Sequence, residues 1–309
     1  MEKIILSIII PYHDEPFDVV SPLFNSICNQ KGIDFNSIEV LICRGDSNKF
    51  PPMPKSLPFP VRNIYIPSVN GSPGLNRQLG INNANGKYVA FFDADDTLNN
   101  DTALKEFFNI QNVPPYMSPD VIDFRFVSLS ADLSVTVFDN KVPFQLWASI
   151  YRRNFLLEHN IGFEPTYYGE DIVFVYKVAS SNPKRVYTEH ILYNYIWRDN
   201  SAIATRIEKY ATFLRDTTSL VNDLDTWDKK YNHTGEFQTL ALPEILRIIS
   251  TNLFEDCFGA LDNTVQNEVL ENLERLITKF SAQLWLLSNN DSTIKQHLNL
   301  IKDFIDKYI

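Results

Sequence analysis

The sequence has 309 residues, 44% hydrophobic, 13% aromatic and 21% charged, a globular composition that excludes disordered, collagen-like and coiled-coil classes. Its 28 basic and 38 acidic residues give a formal net charge of −10, which argues against nucleic acid as a partner, since duplex binders carry a basic face. No apolar run reaches the roughly 18 residues of a membrane span, and the short apolar start soon meets Pro11, Asp14 and Glu15, so no secretory leader is expected either.

Residues 4–10 are a continuous β-branched run that suits a strand buried on both faces. Residues 17–29 carry apolar side chains at helical spacing, and residues 38–43 and 61–66 read as further buried strands. Between those two strands, residues 50–60 hold five prolines and form an irregular loop. A helix over 75–84 and a buried strand over 87–92 follow. Such alternation predicts an α/β fold with a parallel sheet and ligands at the C-terminal ends of its strands.

From about residue 120 the pattern changes. Residues 121–129 and 133–138 resemble an antiparallel pair, with helices around 151–159 and 170–180 and strands near 185–187 and 192–197. Past residue 205, apolar side chains recur at three-and-four spacing with no strand-like stretch, which predicts a bundle of helices. The expected organisation is therefore an α/β domain over 1–204 and a helical C-terminal region over 205–309.

Cys28, Cys43 and Cys257 are odd in number and lack CxxC spacing, so they read as buried thiols of a cytoplasmic protein. The five histidines (His13, His159, His190, His233 and His297) show no metal-ligand spacing. The acidic residues are more telling. Asp93, Asp95 and Asp96 stand just past the strand at 87–92, where carboxylates repel unless a counter-charge joins them. Mg²⁺ or Mn²⁺ bridging to phosphates supplies one, because both prefer oxygen ligands. The alternative is a solvated turn in which Asp96 or Thr97 caps the next helix. Glu170 and Asp171 likewise read either as chemistry or as helix-start charges that stabilise by about 0.3–1 kcal/mol.

Several segments in order resemble the inverting, GT-A type glycosyltransferases of family 2. Ser7-Ile8-Ile9-Ile10-Pro11-Tyr12-His13-Asp14-Glu15 resembles that family's opening strand and base loop, S-I-I-I-P-x-Y-N-E. Gly74 to Ile81 is similar to its "ARNxGI" helix, and Gly86 to Asp96 to its "GxYIxFLDxDD" segment. Trp147 to Arg153 resembles the "KLYRR" stretch, Tyr168 to Phe174 the "GEDxxF" motif, and Tyr193 to Ser201 the "YxYRxxxxS" segment that follows.

The resemblance implies a GT-A, Rossmann-like nucleotide-diphospho-sugar transferase domain. Its implied reaction is metal-assisted transfer of a sugar from a nucleotide-diphosphate sugar, foremost a UDP-sugar, to a saccharide or other hydroxyl acceptor. By the same resemblance Pro11, Tyr12 and Glu15 hold the base, with Asp46 and Asn70 counted in the donor site and Arg77 near base and phosphate. Asp93-Ala94-Asp95 takes ribose through Asp93 and Mn²⁺ or Mg²⁺ through Asp95, with Asp93 beside it as a second metal candidate. Asp171 is the expected general base, and Glu170 its neighbour toward the acceptor.

The pattern departs at residues 44–46. Arg44 and Gly45 stand where the family's acidic pair is expected, with Asp46 displaced. Three readings stay open there: Asp46 contacts uracil, another base is taken, or Arg44 contacts the diphosphate. Ser149 replaces the lysine before "LYRR", and no histidine follows Glu170-Asp171 to complete a metal shell. Trp147, Tyr167, Tyr168 and Trp197 read either as a sugar platform or as core.

Two rivals are weighed. Asp93 to Leu98 formally fits a haloacid-dehalogenase-type phosphatase loop, with Asp93 as nucleophile and Asp95 as acid/base, but that loop normally opens a chain and has glycine where Asp96 stands. A non-catalytic, sugar-nucleotide-binding homologue is motivated by Arg44-Gly45 and opposed by the intact Asp95 and Asp171. The helical region is expected to shape the acceptor site, mediate homo-oligomerisation, or lie against an acceptor at the inner membrane face. Cell-surface polysaccharide synthesis is the pathway that the resemblance suggests.

Overall fold

The computed structural model describes residues 4–46, 48–53, 56–67, 72–112, 114, 118–130, 134–139, 145–198, 209–231 and 242–308. The chain divides into two compact units: Met1–Pro165 with Ser181–Arg198, and Thr166–Ser180 with Asp199–Ile309.

In chain order the first unit contains β1 (Leu6–Pro11), α1 (Phe17–Cys28), β2 (Ile38–Arg44), β3 (Val61–Tyr65), α2 (Pro73–Asn83) and β4 (Tyr88–Phe91). It continues with β5 (Thr97–Leu98), α3 (Ala103–Ile110), β6 (Val121–Leu129), β7 (Val135–Phe138), β8 (Ser149–Arg152), α4 (Arg153–Glu158) and β9 (Arg185–Ile196). These strands form one nine-stranded sheet of order β3-β2-β1-β4-β8-β6-β9-β5, with β7 paired to β6. As expected, β1 to β4 are mutually parallel where they pair, and β1, β2 and β4 are buried along their whole length. Apolar runs without alternation arise where helices cover both faces of a strand.

Two contacts fix the geometry beneath the strand ends. A Cβ on Gly80 would lie 2.2 Å from Ile9 Cγ2, so glycine is what lets α2 settle onto β1. Ser72 caps that helix by accepting from Leu75 N–H (3.3 Å), and Pro73 opens it. On β2 the buried Glu39 carboxylate accepts from Ser7 Oγ (2.7 Å), Asn85 N–H (2.6 Å) and Arg62 Nη1 (3.1 Å), which ties the entry of β4 to β1 and β2.

The structure corrects several expectations. Residues 151–159 are not one helix: Ser149–Arg152 is a strand, antiparallel to both β4 and β6, and the helix starts only at Arg153. Ile150 and Tyr151 fill the sheet interior at 0% and 1% exposure, which no surface helix would require. The segments near 185–187 and 192–197 are one strand, β9, whose pairing with β6 is irregular between Asp123 and Phe126. Neither Asp96 nor Thr97 caps a helix, because Thr97 begins β5 and the N-cap of α3 is Thr102.

The described elements of the second unit are all helices: α5 (Glu170–Ser180), α6 (Tyr210–Tyr231), α7 (Leu242–Ser250), α8 (Glu255–Gly259), α9 (Asn263–Lys279), α10 (Ser281–Asn290) and α11 (Ser292–Tyr308). Its core gathers one apolar stripe from each long helix, such as Ile245 and Ile249 of α7, Val269 and Leu273 of α9, and Leu298 and Ile301 of α11. No described helix is long and apolar enough to cross a membrane. All three cysteines are free thiols, with Cys43 buried and Cys28 and Cys257 only half-buried. Burial pushes the Cys43 thiol up to about 12.

Candidate active site

At the C-terminal ends of β1 and β2 the chain turns through Tyr12 to Glu15 and through Arg44 to Asp46. Tyr12 N–H donates to Cys43 O (3.0 Å), and the Arg44 guanidinium lies 5.3 Å from the centre of the Tyr12 ring. Arg44 is 2% exposed. Its donors reach Asp46 Oδ1 (2.5 Å), Asp14 Oδ1 (3.0 Å) and Lys49 O (2.9 Å). The guanidinium is thus an internal counter-ion for two carboxylates.

Burial alone would push the Asp46 carboxyl up, but the Arg44 hydrogen bonds outweigh it and hold the group below its ordinary value. His13 Nδ1 lies 2.6 Å from Asp46 Oδ2. His13, Asp14 and Asp46 are close enough together to hold a metal, a grouping that sequence spacing could not reveal because the loops come from different strands. Arg44 already supplies their positive charge. Glu15 accepts from His13 N–H (2.9 Å), and burial, with Asp95 adding to it, pushes its carboxyl up.

The acidic turn after β4 stands beside this loop pair. Buried Arg77 on α2 donates to Asp93 Oδ1 (2.7 Å), and Asp93 N–H donates to Tyr193 Oη (2.8 Å). Asp95 pairs with Arg198, just past the end of β9. Burial, reinforced by Asp93, raises the Asp95 carboxyl despite that pair. Asp96 is 1% exposed and accepts Ile196 N–H (2.7 Å); burial, then Asp95 and Asp93, hold its carboxyl well above the ordinary range. Asp96 therefore ties the turn to β9, while Asp93 and Asp95 stay partly exposed at 27% and 22%. Carboxylates are ligands that suit a hard divalent cation, although each of these two now holds a guanidinium.

Pro11 ends β1 and Ala94 is buried at 3% exposure; Asn70 lies outside the described residues. Trp147 is core, its ring stacked with those of Tyr193 (4.9 Å) and Tyr195 (5.6 Å). Arg198 is the site residue that sequence reasoning left without a role, although it stands in the "YxYR" segment.

In the second unit Glu170 and Asp171 open α5, as the sequence predicts. Gly169 precedes them with φ +76°, and its carbonyl accepts Val173 N–H (3.2 Å). Glu170 is buried, and half-buried Asp171 accepts Ile172 N–H (2.9 Å).

A mixed sheet whose β1 to β4 run parallel, with two loops meeting at the ends of β1 and β2 and an acidic turn after β4, is the architecture of the GT-A glycosyltransferase fold. Solved structures of that fold agree. S. aureus TarS 1-349 in complex with UDP-GlcNAc has a TM-score of 0.55 at 15% identity, over 98% of this chain and 92% of that one. TarS 1-349 with UDP gives 0.53 at 15% identity, over 93% and 91%. The mannosyltransferase PcManGT from Pyrobaculum calidifontis, in complex with GDP-Man and Mn²⁺, gives 0.50 at 12% identity, over 96% and 85%. Residues 7–153 match the family described as Glycosyl transferase family 2, which favours that reading of the acidic turn over a dehalogenase-type phosphatase loop. A comparison with curated protein sequences finds no match.

Proposed function

We propose that this glycosyltransferase moves a sugar, with inversion, from a UDP-sugar to a hydroxyl of a saccharide or related acceptor. The observation that carries this reading is the convergence of Tyr12, Glu15, Arg77, Asp93, Asp95 and Arg198 at the strand ends of a family 2 domain. The TarS structures in complex with UDP and with UDP-GlcNAc support uridine as the base. Asp46, kept a carboxylate by Arg44, is an acceptor suited to a base N–H. Cell-surface glycan synthesis is the process in which such an enzyme fits.

In the proposed reaction the acceptor oxygen bonds to the sugar's anomeric carbon as the bond from that carbon to the diphosphate oxygen breaks. The electron pair leaves with the nucleoside diphosphate, and the acceptor proton passes to Asp171. Arg77 and Arg198 offset negative charge around the leaving group. Asp95, with Asp93 beside it, would hold Mn²⁺ or Mg²⁺, which when bound supplies further positive charge to the diphosphate.

Thermal shifts with UDP, GDP, CDP, ADP and dTDP, each with and without Mn²⁺, test the reading. A nucleotide at 100 times its dissociation constant adds about 2.7 kcal/mol of stability. A Mn²⁺-dependent response to UDP is expected. Silence with all five nucleotides would return the domain to a non-catalytic role.

A further inference from the structure

The segment that leads into Glu170-Asp171 is held by a single face of α6, far along the chain. Tyr167 N–H (2.7 Å) and Tyr168 N–H (3.0 Å) both donate to Asp216 Oδ2. Phe213, one turn before Asp216, packs edge-on against the buried Tyr168 ring at 5.2 Å. Leu220, one turn after it, sits where any Cβ on Gly169 would go, with its Cδ1 2.5 Å from that position. Lys209 Nζ lies 4.6 Å from the centre of the Tyr167 ring. Residues 213, 216 and 220 share one helix face by their spacing. Each touches a different part of residues 167–169, the three residues before the proposed base pair.

A carboxylate on two successive amides makes charge-assisted bonds, which are shorter and stronger than neutral ones. Both amides lie just outside the helix, where the backbone chooses the angle at which α5 starts. Gly169 adopts φ +76°, which L side chains rarely take, and Leu220 fills the space that a side chain there would need, so the turn is built for glycine.

We infer that Asp216 is a positioning residue for the transfer reaction, fixing through the Tyr167 and Tyr168 amides the turn that presents Asp171 to the acceptor hydroxyl. The inference rests on the reading of Asp171 as general base. It gives α6 a part in catalysis that runs through the Tyr167 and Tyr168 amides.

The test uses the full chain and the variants Asp216→Leu, Asp216→Asn and Asp171→Asn. Asn keeps an oxygen for both amides, whereas Leu keeps the size and loses the acceptor. Hydrogen exchange at Tyr167 and Tyr168 should speed by about ten-fold or more in Asp216→Leu and stay near wild type in Asp216→Asn. Hydrolysis of UDP-GlcNAc or GDP-mannose with Mn²⁺ should show kcat lowered by about ten- to a hundred-fold in Asp216→Leu, KM unchanged, and recovery in Asp216→Asn. Should Asp216→Leu fail to fold, Asp216→Ser replaces it, its hydroxyl being too short to reach both amides.

Wild-type exchange and wild-type kcat in Asp216→Leu, alongside an inactive Asp171→Asn, overturn the inference and leave the base assignment standing. An Asp171→Asn variant as active as the wild type overturns the base assignment itself, and the catalytic consequence claimed for Asp216 falls with it.

Discussion

Arg198 pairs with Asp95 across 103 positions of sequence, so the carboxylate expected to take a metal already carries a cation of the protein's own. A divalent ion must compete with that guanidinium. Replacing Arg198 with Met removes the competitor and leaves Asp95 held up by burial and by Asp93. For a partly exposed pair worth about 0–1 kcal/mol, the Mn²⁺ concentration needed to stabilise the nucleotide-free protein should fall by up to about five-fold. A Mn²⁺ titration followed by thermal unfolding reads this, and an unchanged midpoint would show that Arg198 does not guard the site.

Asp171→Asn removes the proton acceptor without changing size. Transfer should fall by about 10²- to 10⁴-fold, the ordinary contribution of a general base, while the thermal response to nucleotide stays as it was. Loss of both together would mark Asp171 as a binding or folding residue instead.

Glu39 makes stability depend on pH. Burial acts to raise its carboxyl, but the hydrogen bonds from Ser7, Asn85 and Arg62 win, and the folded group sits below its ordinary value. A depressed folded pKa contributes stability that is fully present above the unfolded value and is lost as pH falls through the folded one. Glu39→Gln should therefore cost about 1–3 kcal/mol at neutral pH, with the gap to wild type closing as the solution is acidified below pH ~4. Urea unfolding at a series of pH values checks the sign.

Gly80→Ala tests how closely α2 must lie on β1. Its new methyl meets Ile9 Cγ2 at 2.2 Å, so overpacking should cost about 1–3 kcal/mol. The displaced helix also carries Arg77 away from Asp93, and nucleotide binding should weaken with stability. Adding Ile9→Ala opens space at the clash and should restore the Arg77 contact better than it restores stability, since it leaves a cavity of its own.

The part of the fold read best from sequence is the part with strong local signals. The strands β1, β2 and β4 are unbroken apolar runs between turn residues, and residues 170–180 repeat at helical spacing to the observed ends of α5. β8 was hidden because four residues buried inside a sheet look like the first turn of the helix they run into. A two-residue strand such as β5 carries no periodicity at all. The acidic turn was legible through its motif, but its partners were not. Arg77 to Asp93 is joined by topology, and the same holds for Arg198 to Asp95 and for Asp216 to the amides of Tyr167 and Tyr168. Arg44 was visible as a departure, while its inward direction followed only from the meeting of the β1 and β2 loops.

The most direct measurement is calorimetric titration of UDP into the wild type and into Asp95→Asn, each with and without Mn²⁺. The account predicts binding to the wild type that strengthens with Mn²⁺, and a Mn²⁺ effect reduced by about ten-fold or more in Asp95→Asn. Equal binding by both proteins, indifferent to the metal, would contradict a donor site centred on Asp95.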